Sequence, residues 1–181
     1  MATTVETKSI EAKVVIIGSP GVGKTTICRQ YIDGVYVPKI HPTVGASYMT
    51  SMLNLGSYKI KLEMWDTAGQ ERFRSMILRT YVFNTFATFL NEHLDTLIVG
   101  NKIDRSEDRT VSEAEARILA NGVGADYIET SALTSEGITE AFQMIGRHLV
   151  NKAENKNYRR QRDKGVNLEK PARRKKKCLF F

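Results

Sequence analysis

Apolar residues recur along the chain in short β-branched runs and at helical spacing, and the two patterns alternate. The runs 13–18 and 94–100 predict strands covered on both faces. Segments 46–55 and 58–66 flank a Gly-Ser turn, and the second alternates apolar with charged residues, which predicts a β-hairpin. Residues 137–150 place apolar side chains on one helical face. This alternation predicts an α/β fold, with a mostly parallel sheet and helices on both faces.

Positive charge is concentrated near the end of the chain. The net charge is +7, and the stretch 152–177 holds twelve Lys and Arg against three Asp and Glu. We therefore predict a flexible arm over 1–10, a globular domain over 11–151 and a basic, disordered tail over 152–181. A slightly acidic domain argues against nucleic-acid binding, and the basic tail favours an anionic membrane surface as partner.

The remaining bulk features predict a cytosolic chain. None of the 181 residues falls in a run of about 18 apolar positions that would predict a membrane span. The first 13 residues lack the apolar segment of a signal peptide. Cys28 and Cys178 lie far apart in sequence and offer no disulfide framework.

The segment 18–25, "GSPGVGKT", lies between a predicted strand and a predicted helix over 24–33. It fits the G-x-x-x-x-G-K-[ST] loop, whose main-chain N–H groups surround a phosphate at a helix N-terminus. Lys24 is expected to reach the β- and γ-phosphates, and the Thr25 hydroxyl to ligate Mg²⁺. The alternative is a glycine turn with a solvated lysine. The predicted phosphate-binding residues are Gly18, Ser19, Gly21, Val22, Gly23, Lys24, Thr25 and Thr26.

The motif "WDTAGQ" ends the second hairpin strand, and "HPTVG" lies in the loop before the hairpin. Asp66 is placed to hold Mg²⁺ through water, and Thr43 is the candidate second hydroxyl, so the predicted metal set is Thr25, Thr43 and Asp66. Gly69 is expected to offer its N–H to a γ-phosphate and Gln70 to orient the attacking water. With Lys24 they are the predicted catalytic residues. Each motif alone is also an ordinary turn or loop.

The motif "NKID" (101–104) follows an apolar strand, and "ETSAL" (129–133) closes the next strand. The Asp104 carboxylate can accept hydrogen bonds from the N1–H and N2–H₂ groups of guanine, a donor pair that adenine lacks. Ser131 and the Ala132 N–H are expected to brace Asp104 and to meet the guanine carbonyl. On its own, "NKID" is equally consistent with a simple turn. Because the two motifs together address guanine, an ATPase or kinase is disfavoured. The predicted guanine-binding residues are Asn101, Lys102, Asp104, Ser131, Ala132 and Leu133.

In this order, the phosphate loop, "PTVG", "WDTAGQERFR", "GNKID" and "ETSAL" resemble the motifs of small Ras-like GTPases. "WDTAGQERFR" is most similar to the Rab group, and "PTVGASYMT" to its endosomal branch. The resemblance implies a P-loop NTPase fold, GTP/GDP and Mg²⁺ binding, and slow hydrolysis of GTP to GDP and phosphate. It implies a monomer whose switch loops meet exchange factors, activating proteins and effectors. It also places Tyr36 over the guanine edge, although a packing role is the alternative.

Three features depart from the family pattern: Pro20, the short segment 71–95, and an ending with one cysteine where many Rab proteins have two. Pro20 stands where members commonly carry glycine or a small residue. It has no N–H and a fixed φ, and its ring would lie near the γ-phosphate, so we expect it to affect hydrolysis and the access of an arginine finger, but not binding. Residues 71–95 supply 25 positions, whereas the family's helix, strand and helix need roughly 39. One central strand and part of the flanking helices are therefore expected to be missing. Either the sheet has a gap, or strand 94–100 moves by about 4.8 Å.

The sequence closes on "PARRKKKCLFF", in which 178–181 form a C-a-a-X box. We predict prenylation of Cys178, with geranylgeranyl favoured over farnesyl, and the basic run 173–177 as the second membrane signal. The alternatives are a solvated charge run and a nuclear-localisation signal. The predicted location is the cytoplasmic side of an endosomal or other vesicular membrane, with a cytosolic pool.

Two functions are consistent with these features. The first is a GTP/GDP-controlled, membrane-attached switch in vesicle trafficking. The alternative is an internally deleted variant, impaired in nucleotide binding, that acts only as an interaction or dominant-interfering protein.

Overall fold

The computed structural model describes residues 7–38, 41–68, 95–162 and 176–180. Within them the chain forms six strands, three α-helices and one short 3-10 helix. The strands are β1 (Lys8–Ile16), β2 (Ala46–Leu55), β3 (Tyr58–Thr67), β4 (Asp95–Asn101), β5 (Asp126–Thr130) and β6 (Lys176–Phe180). The α-helices are α1 (Lys24–Asp33), α2 (Glu113–Gly122) and α3 (Ile138–Arg162), and the 3-10 helix is Ser106–Asp108.

The strands form one sheet in the order β2-β3-β1-β6-β4-β5. Only β2 and β3 pair antiparallel, through the predicted hairpin, and every other neighbouring pair is parallel. Gly56 begins the hairpin turn at φ +56°, a conformation that glycine adopts without steric cost. The predicted α/β fold with a mostly parallel sheet is confirmed.

Helices α1 and α3 pack against each other over the sheet. The rings of Tyr31 in α1 and Phe142 in α3 stack with their centroids 3.8 Å apart. Gly146 lets α3 approach β2 closely, since a Cβ there would lie 2.5 Å from atoms of Leu53 and Leu55. These contacts join the two helices, β2 and the alternating buried residues of β1 and β3 in one core.

Helix α2 begins with a capping box at Ser112. Ser112 is the N-cap, and its side chain accepts a hydrogen bond from the N–H of Glu115. The Glu115 carboxylate accepts one in return from the N–H of Ser112, which completes a capping box. Helix α2 packs against β5.

The place between β1 and β4 is filled by β6, from near the end of the sequence. Neither predicted arrangement is correct: no gap separates β1 from β4, and β4 has not moved next to β1. The reason is that the free edges of β1 and β4 both find main-chain partners in β6. Residues 69–94, where the family's strand was sought, lie outside the described residues.

The predicted region boundaries also differ from the structure. β1 begins at Lys8, inside the predicted arm, because its N–H donates to the Ser57 carbonyl in the hairpin turn at 2.8 Å. Helix α3 continues to Arg162, and residues 176–180 form a strand, so the tail is not irregular throughout. Its basic composition did not predict the strand, which depends on pairing with distant parts of the chain.

Candidate functional site

The phosphate loop connects β1 to α1 through three residues with unusual backbone angles. Gly18, Gly21 and Gly23 have φ values of +152°, +76° and +100°, where residues with a Cβ are strained. Gly23 is also the N-cap of α1, and a Cβ there would lie 2.4 Å from Nδ2 of Asn101. Glycine at 23 therefore serves both the turn and the close approach of β4. The loop places its N–H groups at the N-terminus of a ten-residue helix.

Lys24 crosses the loop that precedes it. Its Nζ donates to the carbonyl oxygens of Gly18 at 2.8 Å and Ser19 at 3.0 Å. The side chain is buried, and burial lowers its pKa, while the charge of Asp66 acts in the opposite direction. The Lys24 ammonium can exchange these carbonyl acceptors for a phosphate oxygen, because an anionic oxygen is a stronger acceptor than a carbonyl.

The three predicted metal residues meet in one hydrogen-bonded cluster. Thr25 Oγ1 donates to Asp66 Oδ2 at 2.5 Å and lies 2.9 Å from Thr43 Oγ1. Asp66 is fully buried, and burial raises its pKa, opposed by the hydrogen bond from Thr25 and the charge of Lys24. Its second oxygen, Oδ1, is buried and has no hydrogen-bond partner among the residues that the structure describes. An all-oxygen set with one unsatisfied carboxylate oxygen suits Mg²⁺, which prefers oxygen ligands.

A cavity of about 730 Å³ opens in front of this cluster. Its wall combines the phosphate loop, the start of α1, the loop before β2 and the end of β3. Tyr36 is part of the wall and is 38% exposed. Sequence reasoning missed His41, Thr67 and Ala68 in the lining, since single residues beside a motif carry no signal of their own.

Asn101 and Lys102 contact the phosphate loop directly. Asn101 Nδ2 donates to the Val22 carbonyl at 2.8 Å, and Lys102 Nζ donates to the Gly21 carbonyl at 2.6 Å. Lys102 has φ +71°, which turns the chain sharply after β4. The "NKID" motif therefore links the end of β4 to the loop that follows β1.

The same Asn101 side chain reaches the loop after β5. Its Oδ1 accepts hydrogen bonds from Thr130 Oγ1 at 3.2 Å and from the Ala132 N–H at 3.3 Å. Asn101 thus bridges three loops through its one amide. Thr130 was missed as a site residue, although it lies within "ETSAL". The Ala132 N–H, expected at a guanine carbonyl, is bonded to Asn101 instead.

Asp104 is held as the sequence predicts. Ser131 Oγ donates to Asp104 Oδ1 at 2.5 Å, and Ser131 is itself fixed by the Thr134 N–H at 3.1 Å. Asp104 is exposed, and its other carboxylate oxygen, Oδ2, accepts no hydrogen bond within the described part of the chain. Leu133 is 51% exposed.

Most of the predicted site residues that the structure describes fall into two groups by position. Gly21, Gly23, Lys24, Thr25, Thr26, Tyr36, Thr43 and Lys102 line the 730 Å³ cavity. Asn101, Asp104, Ser131 and Ala132 form the hydrogen-bonded group beyond it. Gly69 and Gln70 lie outside the described residues. Cys178 lies in β6 and belongs to neither group.

The chain matches the Ras family model over residues 13–90 and 78–151. Two segments in place of one are consistent with an internal deletion near the segment 71–95. No described helix is long and apolar enough to span a membrane.

Three relatives illustrate the similarity. The chain is 36% identical to Ras-related protein RabJ of Dictyostelium discoideum over 165 residues, covering 78% of this chain and 64% of RabJ. It is 34% identical to Ras-related protein Rab-30 of Homo sapiens, covering 78% of this chain and 81% of the relative. For Ras-related protein RABA5a of Arabidopsis thaliana the identity is 33%, with 77% and 73% covered. The chain therefore spans less than two thirds of RabJ's length.

The matched residues include the cluster of Thr25, Thr43 and Asp66 and the three loops that Asn101 joins, the phosphate loop among them. Because the match extends over more than half of the chain, this protein belongs to the Ras family, as a Rab-like member.

Proposed function

We propose that this chain binds GTP and GDP with Mg²⁺, hydrolyses GTP, and acts as a membrane-attached switch in vesicle trafficking. The observation that carries the proposal is the buried cluster of Thr25, Thr43 and Asp66 beside Lys24, at the wall of a cavity of about 730 Å³. A buried carboxylate with one unsatisfied oxygen is costly unless a ligand compensates it.

Phosphate binding rests on the loop and its lysine. The N–H groups of 18–25 and the N-terminus of α1 supply partial positive charge around one phosphate. Lys24 exchanges its carbonyl acceptors for phosphate oxygens, which stabilises its charge against burial. Pro20 lines the cavity and offers no N–H, so one position of the cradle contributes shape without a hydrogen bond.

Magnesium would be held by the hydroxyls of Thr25 and Thr43, with Asp66 acting through water. When bound, the ion neutralises phosphate charge and supplies electrostatic stabilisation as GTP loses its γ-phosphate. Thr43 belongs to a loop that also lines the cavity. We therefore expect this loop, and Thr43 with it, to move towards the nucleotide when a γ-phosphate is bound.

Hydrolysis adds water across the bond between the γ-phosphorus and the bridging oxygen, giving GDP and inorganic phosphate. We assign the orientation of that water to Gln70 and a γ-phosphate contact to the Gly69 N–H. Lys24 stabilises the negative charge that spreads over the transferred group. The missing donor at Pro20 predicts an intrinsic rate that rises when the proline is replaced by glycine.

Guanine recognition is assigned to Asp104, whose exposed carboxylate can accept from the two adjacent donors of the base. Ser131 fixes its direction, and Asn101 fixes the distance between the base loops and the phosphate loop. We assign Tyr36 to the edge of the guanine and the stem of Lys102 to a position along the base, because both residues border the cavity.

The membrane part of the proposal rests on sequence features. The names of the relatives are those of Rab proteins, and a cysteine in a C-a-a-X box with a basic run before it provides two membrane signals. We propose that exchange factors, activating proteins and effectors bind the loops that hold Thr43 and Gln70.

The decisive experiment is to purify the chain with Mg²⁺, denature it and identify released nucleotide by chromatography. We expect about one GDP or GTP per chain. Thermal melting with GDP, GTP or ADP then compares ligands, and guanine nucleotides should raise the melting temperature. A folded chain that releases no guanine nucleotide and is not stabilised by it would instead support the impaired, interaction-only alternative.

A further inference from the structure

Strand β6 is the least expected element of the fold, because it carries the lipidation motif into the centre of the sheet. Its residues pair with β1 from Ala12 to Ile16 on one side. On the other side, Cys178 to Phe180 pair with β4 from Asp95 to Leu97. A strand with partners on both sides has its main-chain groups satisfied by protein and not by water.

The position needs an occupant. The β1 residues Ala12, Val14 and Ile16 are buried, so β1 is a central strand and not an edge. Without a neighbour, β1 and β4 would each expose a row of unpaired N–H and C=O groups inside the sheet. Between β3 and β4 the chain is too short for the family's helix, strand and helix.

The segment that fills it is suited to the task. Helix α3 follows β5 and contacts β1, β2, β4 and β5, so the chain crosses the sheet before β6 begins. A helical crossover is the usual way to bring a strand back parallel to its neighbours. The residues Cys-Leu-Phe at 178–180 include types that favour strands.

We propose that residues 176–180 have two exclusive states: a strand that completes the sheet, and a released tail that accepts a lipid. Isoprenyl transfer from an isoprenyl diphosphate forms a bond from the Cys178 sulfur to the isoprenyl carbon and breaks the bond from that carbon to the diphosphate oxygen, so that diphosphate and the thiol proton are released. The transferase must hold the acceptor segment as a separate chain, and main-chain pairing to β1 and β4 prevents this. The lipid state rests on the proposed function, whereas the strand state does not.

The strand state is coupled to the nucleotide site through the spacing of β1 and β4. Phe180 pairs with Ile16, two residues before Gly18 and the phosphate loop. Inserted β6 separates this end of β1 from β4 by the distance that the Asn101 bridge requires. By reciprocity, nucleotide binding favours insertion and slows lipid transfer.

The test uses two variants of the full chain. Lys176→Pro with Lys177→Pro removes two consecutive N–H groups from a central strand and leaves 178–181 unchanged. The matched control, Lys176→Ala with Lys177→Ala, removes the same charges and keeps both N–H groups. Each chain is treated with a purified prenyltransferase and an isoprenyl diphosphate, and a peptide of residues 172–181 serves as the unpaired reference.

We expect the wild type and the alanine variant to accept the lipid at least about tenfold more slowly than the proline variant and the peptide, because transfer waits for local opening. Hydrogen exchange measured on the wild type should show protected amides in 12–16 and 176–180. Equal transfer rates for wild type and peptide, or unprotected amides in 176–180, would overturn the proposal even if the proline variant failed to fold.

Two other outcomes separate this proposal from others. A dimer with protected amides would mean that β6 enters a second copy, which overturns insertion within one chain. If the peptide itself accepts no lipid while 176–180 remain protected, the lipid state is wrong. Neither result depends on whether the chain binds guanine nucleotides, which the denaturation experiment tests separately.

Discussion

The phosphate end of the site comes from one continuous stretch, β1, its loop and α1, whereas the base end comes from β4 and β5, far along the sequence. At the phosphate end, Lys24 and Thr25 find their partners in the same stretch and in the adjacent β3. At the base end, Asp104 and Ser131 are fixed to each other, and within the described part of the chain Asn101 and Lys102 make the side-chain hydrogen bonds from this end to the phosphate loop.

This difference shows where the loss of an internal segment acts. β1 and β3 are direct neighbours, so the phosphate and metal residues keep their geometry whatever lies on the far side of β1. The distance from β1 to β4 depends on the strand between them. The base end therefore depends on β6, and the phosphate end does not.

The largest effect is expected for Lys24→Ala, which should weaken GDP and GTP binding by about 100-fold or more. Charged hydrogen bonds contribute about 1.5–3 kcal/mol each, and tenfold in affinity is about 1.4 kcal/mol. Binding is measured by calorimetry with Mg²⁺. The control Lys59→Ala removes an exposed lysine of β3 and should leave affinity unchanged. Similar affinities for the two variants would refute the assignment of Lys24.

The next largest effect is expected at the base end of the site and distinguishes it from the phosphate end. Asp104→Ala should weaken GDP binding by about 10- to 100-fold and leave ADP binding unchanged, because only guanine offers the donor pair. The control is Asp108→Ala, whose exposed carboxylate pairs with Arg105. Competition between labelled GDP and each unlabelled nucleotide gives the ratio of GDP affinity to ADP affinity. If ADP binding fell equally, Asp104 would be supporting the fold and not reading the base.

Asp66→Asn tests the metal cluster through pH. Burial raises the folded pKa of Asp66, so its contribution to stability is complete below the unfolded pKa near 3.8 and is lost as pH rises through the folded value. Without Mg²⁺ and nucleotide, Asn should therefore melt higher than wild type at neutral pH, and this advantage should vanish below about pH 3.8.

Magnesium should reverse that order. Wild type with nucleotide gains stability from Mg²⁺ at neutral pH and loses this gain as pH falls through the folded pKa of Asp66, whereas Asp66→Asn should need at least about tenfold more Mg²⁺. Melting temperatures over pH 3.5–7.5, with and without Mg²⁺, supply the comparison. If the wild type without Mg²⁺ melted above Asp66→Asn at neutral pH, this result would contradict the claim that the buried Asp66 carboxylate destabilises the metal-free fold.

The smallest effect is expected at Ser131→Ala. Losing one hydrogen bond to Asp104 should weaken GDP binding by about three- to tenfold, without changing ADP binding. Ser106→Ala, at an exposed position of the 3-10 helix, is the matched control. A loss equal to that of Asp104→Ala would mean that Ser131 holds the whole loop and not only one carboxylate.

Much of this arrangement could be predicted because its signals are local. The hairpin and the helix predicted over 24–33 follow from turn residues, glycines and residue spacing within a few positions. The contact between Ser131 and Asp104 was expected because parallel strands end at the same edge of a sheet.

The occupant of the central position could not be predicted. A short strand is defined by the edges it meets, and composition alone gave 176–180 as part of a basic tail. The three-way bridge by Asn101 was also missed, because an amide that joins loops after different strands leaves no spacing in the sequence.

The ratio of GDP to ADP affinity, measured by calorimetry in the wild type and in the Lys176→Pro, Lys177→Pro chain, tests whether β6 supports the base end alone. We predict a ratio of at least about 100 in the wild type, and a loss of most of it in the variant through weaker GDP binding, with ADP binding retained. An unchanged ratio in a variant whose residues 176–180 exchange freely would contradict this dependence of the base end on β6.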